Sequence, residues 1–231
     1  MKILQGQGVS KGVEHGPIYF CRRSQTLIQP DKADDPRFQG ERLDRAMEQT
    51  AQQLGQMAEL ARAQAGDSAA QLFETHAMFL EDEDYTGAME ELLAEGYCAE
   101  YAVDQAGEQF SAMLAAMDDP YMQARASDVR AISDRMLPIL TGRGTVPPVS
   151  FSPSILVSTE FAPSQIITLD RSCILGFIAM RGSVQSHAAA LSRALSIPAL
   201  VKLDLSASLE GHTALLDGGA QKLYVDPTPA I

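Results

Sequence analysis

A histidine that could take part in phosphoryl chemistry lies in the last third of the chain. His187 follows an apolar run, 173–180, which predicts a buried strand, and a short turn of small and polar residues. The residues that begin at His187 are rich in Ala, Leu and Arg, which favours a helix. Ser186 is its predicted N-cap, and Pro198 ends it before a second apolar run, 199–201. This order predicts a βαβ unit with His187 in the first helical turn.

The first turn of a helix suits an anion. Its backbone N–H groups have no acceptor within the helix, and the helix dipole is positive there. Such a position favours a bound phosphate. An imidazole placed there can act as a nucleophile that takes up a phosphoryl group, with the helix end stabilising the added charge. The pattern leaves open the alternative that His187 is a polar surface residue without chemistry.

Composition limits the class of protein. The chain has 231 residues and 45% of them are hydrophobic, which is enough for a core in one large or two small domains. No apolar stretch is long enough to span a membrane, and the first residues lack the apolar core of a signal peptide, so we expect a cytoplasmic protein. Cys21, Cys98 and Cys173 are far apart and lack metal-site spacing, which predicts reduced thiols and no metal.

Charge is unevenly distributed along the chain. The formal net charge is −12, which argues against nucleic acid as a partner because phosphate backbones attract basic surfaces. Residues 33–143 hold 22 Asp and Glu against 8 Arg and no Lys, a net charge of −14, whereas the rest of the chain has a net charge of +2. An acidic middle section favours a basic protein partner. The alternative is an acidic surface that only keeps the protein in solution.

The acidic middle section carries helical patterns and almost no strand pattern. Apolar residues recur there at three- and four-residue spacing. They predict helices over 37–64, 72–80, 85–95, 100–117 and 121–140. Long helices with short links predict an antiparallel bundle. The acids of 81–84 are predicted to cap the third helix, with the docking of a basic partner as the alternative.

The two ends of the chain predict one mixed structure. Strands are predicted near 2–7 and 16–21, then at 154–158, around His187, and in a hairpin over 213–225 that turns at Asp217-Gly218-Gly219. A short helix is predicted at 164–169. The alternation predicts an α/β domain around a partly parallel sheet that the first strands complete.

The fold class is therefore α/β plus all-α. The α/β domain is discontinuous, with residues 1–32 and 144–231, and the antiparallel helical bundle of 33–143 is inserted into it. A linker over 144–153 is predicted to lead from the bundle back to the α/β domain.

Four stretches of the chain resemble the N-terminal half of Enzyme I, the phosphoenolpyruvate–protein phosphotransferase of the bacterial sugar phosphotransferase system. The first is 72–84, and the second joins 118–121 with 126–130. The third runs from 175–178 through Ser186-His187 to Arg193 and 197–199. The fourth joins 215–217 with 225–228. The resemblance covers essentially the whole chain in collinear order. The acidic helical stretch is the most specific of the four, because the swivelling histidine domains of pyruvate phosphate dikinases share the third stretch but not that helix.

The resemblance implies a role for each part of the chain. The α/β part is a swivelling phosphohistidine domain whose phosphorylated residue is His187, supported by Gly182, Ser183, Ser186 and Arg193. The helical part docks the small phosphocarrier HPr. The implied docking residues are His76, Met78, Phe79, Leu80, Asp82, Asp84, Met122 and Arg125. The implied reaction starts with attack by Nε2 of His187 on a phosphoryl donor, followed by transfer to a carrier histidine.

The sequence departs from the family pattern at three places. A Gly-Gly pair is replaced by Gly182-Ser183, and Thr-Ser-His is replaced by Gln185-Ser186-His187. The usual Thr-Pro-Ser, whose Thr hydroxyl can hold the histidine at rest, is Ala162-Pro163-Ser164. Loss of that hydroxyl removes one hydrogen bond, worth about 1 kcal/mol.

The family continues beyond the matched region into a (β/α)₈ barrel that binds phosphoenolpyruvate and Mg²⁺ and forms the dimer. The resemblance therefore implies that this chain is a fragment without cofactor and that Mg²⁺ belongs to the missing domain. We expect the chain alone to exchange phosphate only with phosphorylated HPr. Two other functions stay open, namely a module that docks an HPr-like carrier without chemistry and the phosphohistidine domain of a dikinase.

Overall fold

The computed structural model describes residues 1–21, 27–142 and 152–228, without the side chains of Pro120, Tyr121 and Ala124. The described chain divides into two compact units. The α/β unit comprises 1–21, 60–66 and 152–228, and the helical unit comprises 27–59 and 67–142. The domain boundaries proposed from the sequence stay predictions, and the predicted linker 144–153 lies mostly outside the described residues.

From β3 onward, the described strands and main helices follow one another in the predicted order. The strands are β1 (Lys2–Gln5), β2 (Gln7–Ser10), β3 (Val13–Phe20), β4 (Ser154–Ser158), β5 (Ile174–Ala179), β6 (Ala199–Val201), β7 (Thr213–Asp217) and β8 (Lys222–Val225). The helices are α1 (Pro36–Ala65), α2 (Asp67–Phe79), α3 (Glu83–Ala94), α4 (Ala99–Ala115), α5 (Pro120–Leu140), α6 (Pro163–Thr168) and α7 (His187–Ala194).

The strands of the α/β unit form one mixed sheet. Its order in the described chain is β1-β8-β7-β3-β4-β5-β6-β2. Neighbours from β3 to β6 are parallel, and the remaining pairs are antiparallel. The parallel pair of β5 and β6, joined by α7, is the βαβ unit predicted around His187. Together, this mixed sheet and the helices of the helical unit confirm the predicted fold class.

The sequence prediction was wrong about the first strand. The stretch predicted as one strand near 2–7 holds the end of one strand and the start of another, because β1 ends at Gln5 and β2 begins at Gln7. These two strands lie at opposite edges of the sheet order. Gly6 lies between β1 and β2, so the backbone changes its pairing partner at this residue. A Cβ at Gly6 would lie 3.0 Å from the Val201 carbonyl oxygen, so a larger residue would force its neighbours to move.

The parallel strands determine where α7, the helix that begins at His187, starts. Apolar side chains that include Ile18, Ile155, Val157, Ile178 and Leu200 form a buried cluster on the sheet. Burial of such β-branched and aliphatic side chains is the main favourable contribution to folding. Because the central strands run parallel, their carboxyl ends meet at one edge, which is where ligand sites of α/β proteins occur. The turn before His187 starts at that edge, after β5.

Local signals start and end the helices of the helical unit. The Asp35 carboxylate accepts a hydrogen bond from the Phe38 N–H at 3.1 Å, which satisfies a free donor at the start of α1. Gly66 and Gly96 have φ of 87° and 86°, a left-handed conformation that glycine adopts at low cost. Their positions after α1 and α3 explain why both helices end there.

The helices α4 and α5 approach each other closely. Gly107 of α4 is buried and faces Ser133 of α5, and a Cβ at Gly107 would lie 2.8 Å from the Ser133 Cβ. The Tyr85 hydroxyl is 2.8 Å from the Ser133 Oγ and fully buried, so α3 joins the same contact. Burial raises the pKa of Tyr85 to about 12, although the Ser133 hydrogen bond acts in the opposite direction.

None of the helices in the described ranges combines the length and the apolar character that crossing a bilayer requires.

Candidate functional site

His187 is the first residue of α7, as the sequence predicts. The Ser186 Oγ accepts a hydrogen bond from the Ala189 N–H at 3.2 Å, and Ser186 has extended backbone angles, which confirms it as the N-cap. The His187 side chain is exposed. An exposed imidazole therefore lies in a helical turn whose backbone N–H groups favour a phosphate.

The turn before His187 is held by its own residues and by one side chain from α7. Gly182 has φ of 106°, a backbone conformation that residues with a side chain rarely adopt. The reason is local backbone strain, because a Cβ at this position would meet no atom within 4 Å. The Ser183 Oγ accepts from the Gln185 N–H at 3.1 Å, and the Ser183 carbonyl accepts from the Ser186 N–H at 3.1 Å. The Arg193 Nη1 donates to the Val184 carbonyl at 2.8 Å. These contacts hold the backbone that leads into α7.

A small cavity lies beside this turn within the α/β unit. Its polar rim includes Glu160, Arg181 and Ser186, and its apolar wall includes Phe161 and Phe177. The backbone pairing continues past the strand ends here, because the Arg181 N–H donates to the Thr159 carbonyl at 2.8 Å. The strand ends thus fix the position from which the histidine turn begins.

The departure at Ala162 leaves the start of α6 without a side-chain cap. Ala162 is the N-cap of α6 and makes no side-chain hydrogen bond. Its N–H donates to the Gln165 Oε1 at 2.9 Å, so only half of a capping box forms. At this position the chain has no hydroxyl that could hold an imidazole.

In the helical unit, the predicted docking residues divide into exposed and buried groups. We call Met78, Phe79, Met122 and Arg125 the docking face. The Met78 side chain is 70% exposed, and Phe79, Met122 and Arg125 are partly exposed. The Arg125 guanidinium lies 5.6 Å from the centre of the Phe79 ring, which joins α2 to α5 by a cation–π contact. An apolar surface with a nearby charge is typical of a protein interface.

His76 and Leu80 lie inside the helical unit. Leu80 is 5% exposed and His76 is 4% exposed. The His76 Nε2 is 3.2 Å from the Asp128 Oδ1, but no hydrogen bond of good geometry forms at that nitrogen. The predicted docking residues His76 and Leu80 therefore present almost no surface to a partner in this conformation. The sequence interpretation did not assign Asp128 a role, although Asp128 follows Arg125 by about one helical turn on α5.

The acidic residues at the start of α3 have a structural role. Asp82 is the N-cap, and its Oδ1 accepts from the N–H groups of Asp84 and Tyr85, both at 3.1 Å. This confirms the predicted cap. All four acids from 81 to 84 are exposed, so the same cluster gives this end of the helical unit a negative surface. Capping and partner attraction are compatible, because Asp82 uses one carboxylate oxygen for the cap.

No group of three or more His, Cys, Asp or Glu among the described residues is placed to hold a metal ion.

Comparison with known proteins identifies the family. A protein-family model described as "PEP-utilising enzyme, N-terminal" matches residues 5–125, more than half of the chain. The chain belongs to this family. A second model, described as "PEP-utilising enzyme, mobile domain", matches residues 151–221 and includes all of α7 with His187.

Curated relatives of this PEP-utilising enzyme chain are longer proteins. "Multiphosphoryl transfer protein" of Xanthomonas campestris pv. campestris is 34% identical over 237 residues, which cover 97% of this chain and 27% of the relative. "Phosphoenolpyruvate-protein phosphotransferase" of Priestia megaterium is 28% identical over 231 residues, which cover 98% of this chain and 40% of the relative. The chain therefore spans two-fifths or less of the length of these two relatives.

Solved structures agree with the family. "N-terminal domain of Enzyme 1 - Nitrogen" has a TM-score of 0.69 and 26% identity and covers 98% of this chain and 95% of that chain. A solution structure of an Enzyme I protein has a TM-score of 0.75, which shows the same fold at 24% identity. Within the family, the chain corresponds to the N-terminal part of Enzyme I.

Proposed function

We propose that this chain carries a phosphoryl group on His187 and exchanges it with a histidine of an HPr-type carrier. The observation that supports the proposal most directly is the exposed imidazole at the capped start of α7. A helix start of this kind stabilises the charge of a phosphoryl group. The match of residues 151–221 to the mobile domain of PEP-utilising enzymes, which includes His187, also supports the proposal.

The proposed step balances without a further reactant. The lone pair of Nε2 of neutral His187 attacks the phosphorus of a phosphohistidine on the carrier. A nitrogen–phosphorus bond forms at His187 while the corresponding bond at the carrier breaks, and the carrier imidazole keeps the electron pair. His187 gives up its Nδ1 proton and the carrier imidazole takes up one proton, so the proton count balances. Because both bonds are phosphoramidates, the equilibrium constant is near one and the step runs in either direction. No metal is proposed for this step.

The helical unit would bind the carrier in the proposed reaction. The docking face supplies apolar contact through Met78 and Phe79, and the acids of 81–84 supply negative charge. A carrier with an apolar patch inside a basic rim is complementary to this surface. The acids mainly raise the rate of association, so binding should weaken as salt rises.

Use of phosphoenolpyruvate would need more than the residues of this chain. We propose that phosphoenolpyruvate and Mg²⁺ bind to the barrel that follows this region in Enzyme I, and that the complete protein is a cytoplasmic phosphoenolpyruvate–protein phosphotransferase. Incubation of the chain with phosphoenolpyruvate and Mg²⁺ should then leave His187 unlabelled. Rapid labelling under these conditions would contradict this part of the proposal.

The test of the proposed chemistry uses the chain with phosphorylated HPr. Mass spectrometry should find phosphate on the peptide that contains His187. His187→Ala should abolish the label, whereas His212→Ala, which removes another exposed histidine of the α/β unit, should leave it. Phosphate on the His187→Ala variant would contradict the assignment of His187 as the phosphorylated residue. Carrier binding without any label on the wild-type chain would support a docking module instead.

The proposed docking face has its own test. Phe79→Ala and Arg125→Gln should each weaken carrier binding about tenfold in calorimetry, as expected for residues near the centre of an interface. Arg45→Gln is the matched control, because Arg45 is an exposed arginine of the same unit, paired with Glu41 at 3.4 Å. Equal losses in Arg45→Gln and Arg125→Gln would show a general charge effect and not a specific face.

A further inference from the structure

The contact between Arg193 and the histidine turn joins the last turn of α7 to the backbone in front of its first turn. Arg193 lies near the C-terminal end of α7, where a positive charge is favourable with the helix dipole. Its guanidinium nevertheless extends towards the N-terminal end, as helical side chains tend to do, and donates to the Val184 carbonyl at 2.8 Å. A charge–dipole role alone would not require this contact.

The Val184 carbonyl lies in the middle of the turn that leads into α7. Val184 lies between Gly182, whose φ of 106° only glycine adopts easily, and Ser186, which caps α7. Within the turn, hydrogen bonds connect Ser183 to Gln185 and Ser186, and Ser186 accepts from the Ala189 N–H of α7. The Arg193 guanidinium adds a contact that the cap does not make, because it ties the Val184 carbonyl to the last turn of α7.

We propose that Arg193 is a positioning residue for His187. By holding the Val184 carbonyl, the guanidinium fixes the direction in which the backbone enters α7 and so the direction of the imidazole. Hydrogen bonds from a charged donor are stronger than those between neutral groups, and arginine presents its donors in a rigid planar fork. The kinetic consequence rests on the proposed phosphoryl transfer at His187, whereas the structural consequence does not.

The first measurement is hydrogen exchange on the unphosphorylated chain. The Gln185 and Ser186 amides are hydrogen-bonded to Ser183, so their exchange rates report opening of the turn. Arg193→Gln should raise these exchange rates about tenfold, because the closed turn loses the stabilisation of one charge-assisted hydrogen bond at a partly solvated site. Arg171→Gln removes an exposed arginine of the same unit elsewhere and should leave them unchanged. Unchanged exchange in Arg193→Gln, or an equal rise in both variants, overturns the proposal.

The second measurement is single-turnover transfer from phosphorylated HPr. Arg193→Gln should lower the transfer rate constant three- to tenfold, because the activation free energy rises by roughly the energy of that hydrogen bond. The dissociation constant for the carrier should not change. Arg193→Lys keeps a charged donor, and one N–H is enough for the contact with the Val184 carbonyl, so it should lose less than Arg193→Gln in both measurements. An unchanged transfer rate constant in Arg193→Gln overturns the kinetic part of the proposal. Absence of label on the wild-type chain would refute the proposed function, while the exchange result still decides the role of Arg193.

Discussion

Replacement of Gly107 by alanine tests how closely α4 and α5 pack. Elsewhere in a helix the change is favourable, because alanine has a higher helix propensity than glycine by about 1 kcal/mol. At Gly107 the new Cβ would overlap the Ser133 Oγ and lie 2.8 Å from the Ser133 Cβ. Rotation of the hydroxyl would not relieve the second contact, so the helices have to separate.

The expected loss follows from three contributions. Overpacking of a well-packed contact costs about 1–3 kcal/mol. Displacement of Ser133 also weakens its hydrogen bond with Tyr85, 2.8 Å long and buried, for a further loss of about 1 kcal/mol. The gain in helix propensity offsets about 1 kcal/mol of this sum. Gly107→Ala should therefore lower the free energy of unfolding of the helical unit by about 1–3 kcal/mol.

Urea denaturation followed by far-UV circular dichroism measures the effect, because most of the described helices are in the helical unit. Gly55→Ala is the control, since a Cβ at this exposed position of α1 meets no atom within 4 Å, and it should stabilise by about 0.5–1 kcal/mol. In a Ser133→Gly background, the obstructing side chain is absent and Gly107→Ala should become stabilising. Equal effects of Gly107→Ala in both backgrounds would refute the reasoning.

Two further predictions concern the histidine helix and a buried tyrosine. Ser186→Ala should lower the stability of the α/β unit by about 1 kcal/mol through loss of the cap, and Ser186→Asp should retain it; equal denaturation midpoints for both variants would contradict this. Because burial raises the pKa of Tyr85 from 10.0 to about 12, the unfolded state loses its proton first as pH rises. Stability should therefore fall between pH 10 and 12 by up to about 1.4 kcal/mol per pH unit, and Tyr85→Phe should flatten that profile relative to the wild type; parallel profiles would rule out Tyr85 as the source.

Local patterns predicted much of the fold. The strands at 154–158, 199–201 and 222–225 are apolar runs bounded by turn residues, and the structure places them as predicted. The start of α7 was also predictable, because Ser186 carries a cap signal that depends only on residues within one turn. Fold elements set by neighbouring residues are therefore accessible from sequence alone.

Features that depend on distant residues were not accessible. The separate strand β2 exists because Gln7–Ser10 pairs with β6, which is far away in the sequence. The burial of His76 depends on its packing against Asp128 of α5, which helical periodicity on α2 cannot indicate. The Arg193 contact with the Val184 carbonyl was also missed, because side-chain contacts to backbone carbonyls leave no residue pattern.

The two edge strands of the sheet have a consequence for biosynthesis. β1 and β2 are synthesised before the helical section, yet their partners β8 and β6 are made after it. Until then their hydrogen-bonding groups stay unpaired and available to other chains. Non-local pairing of this kind slows folding, so the helical unit should fold first and the sheet should close last. Deletion of residues 1–10 would remove β1 and β2 and leave β8 and β6 unpaired on one side at the same time, so this segment is a poor place for shortening the chain.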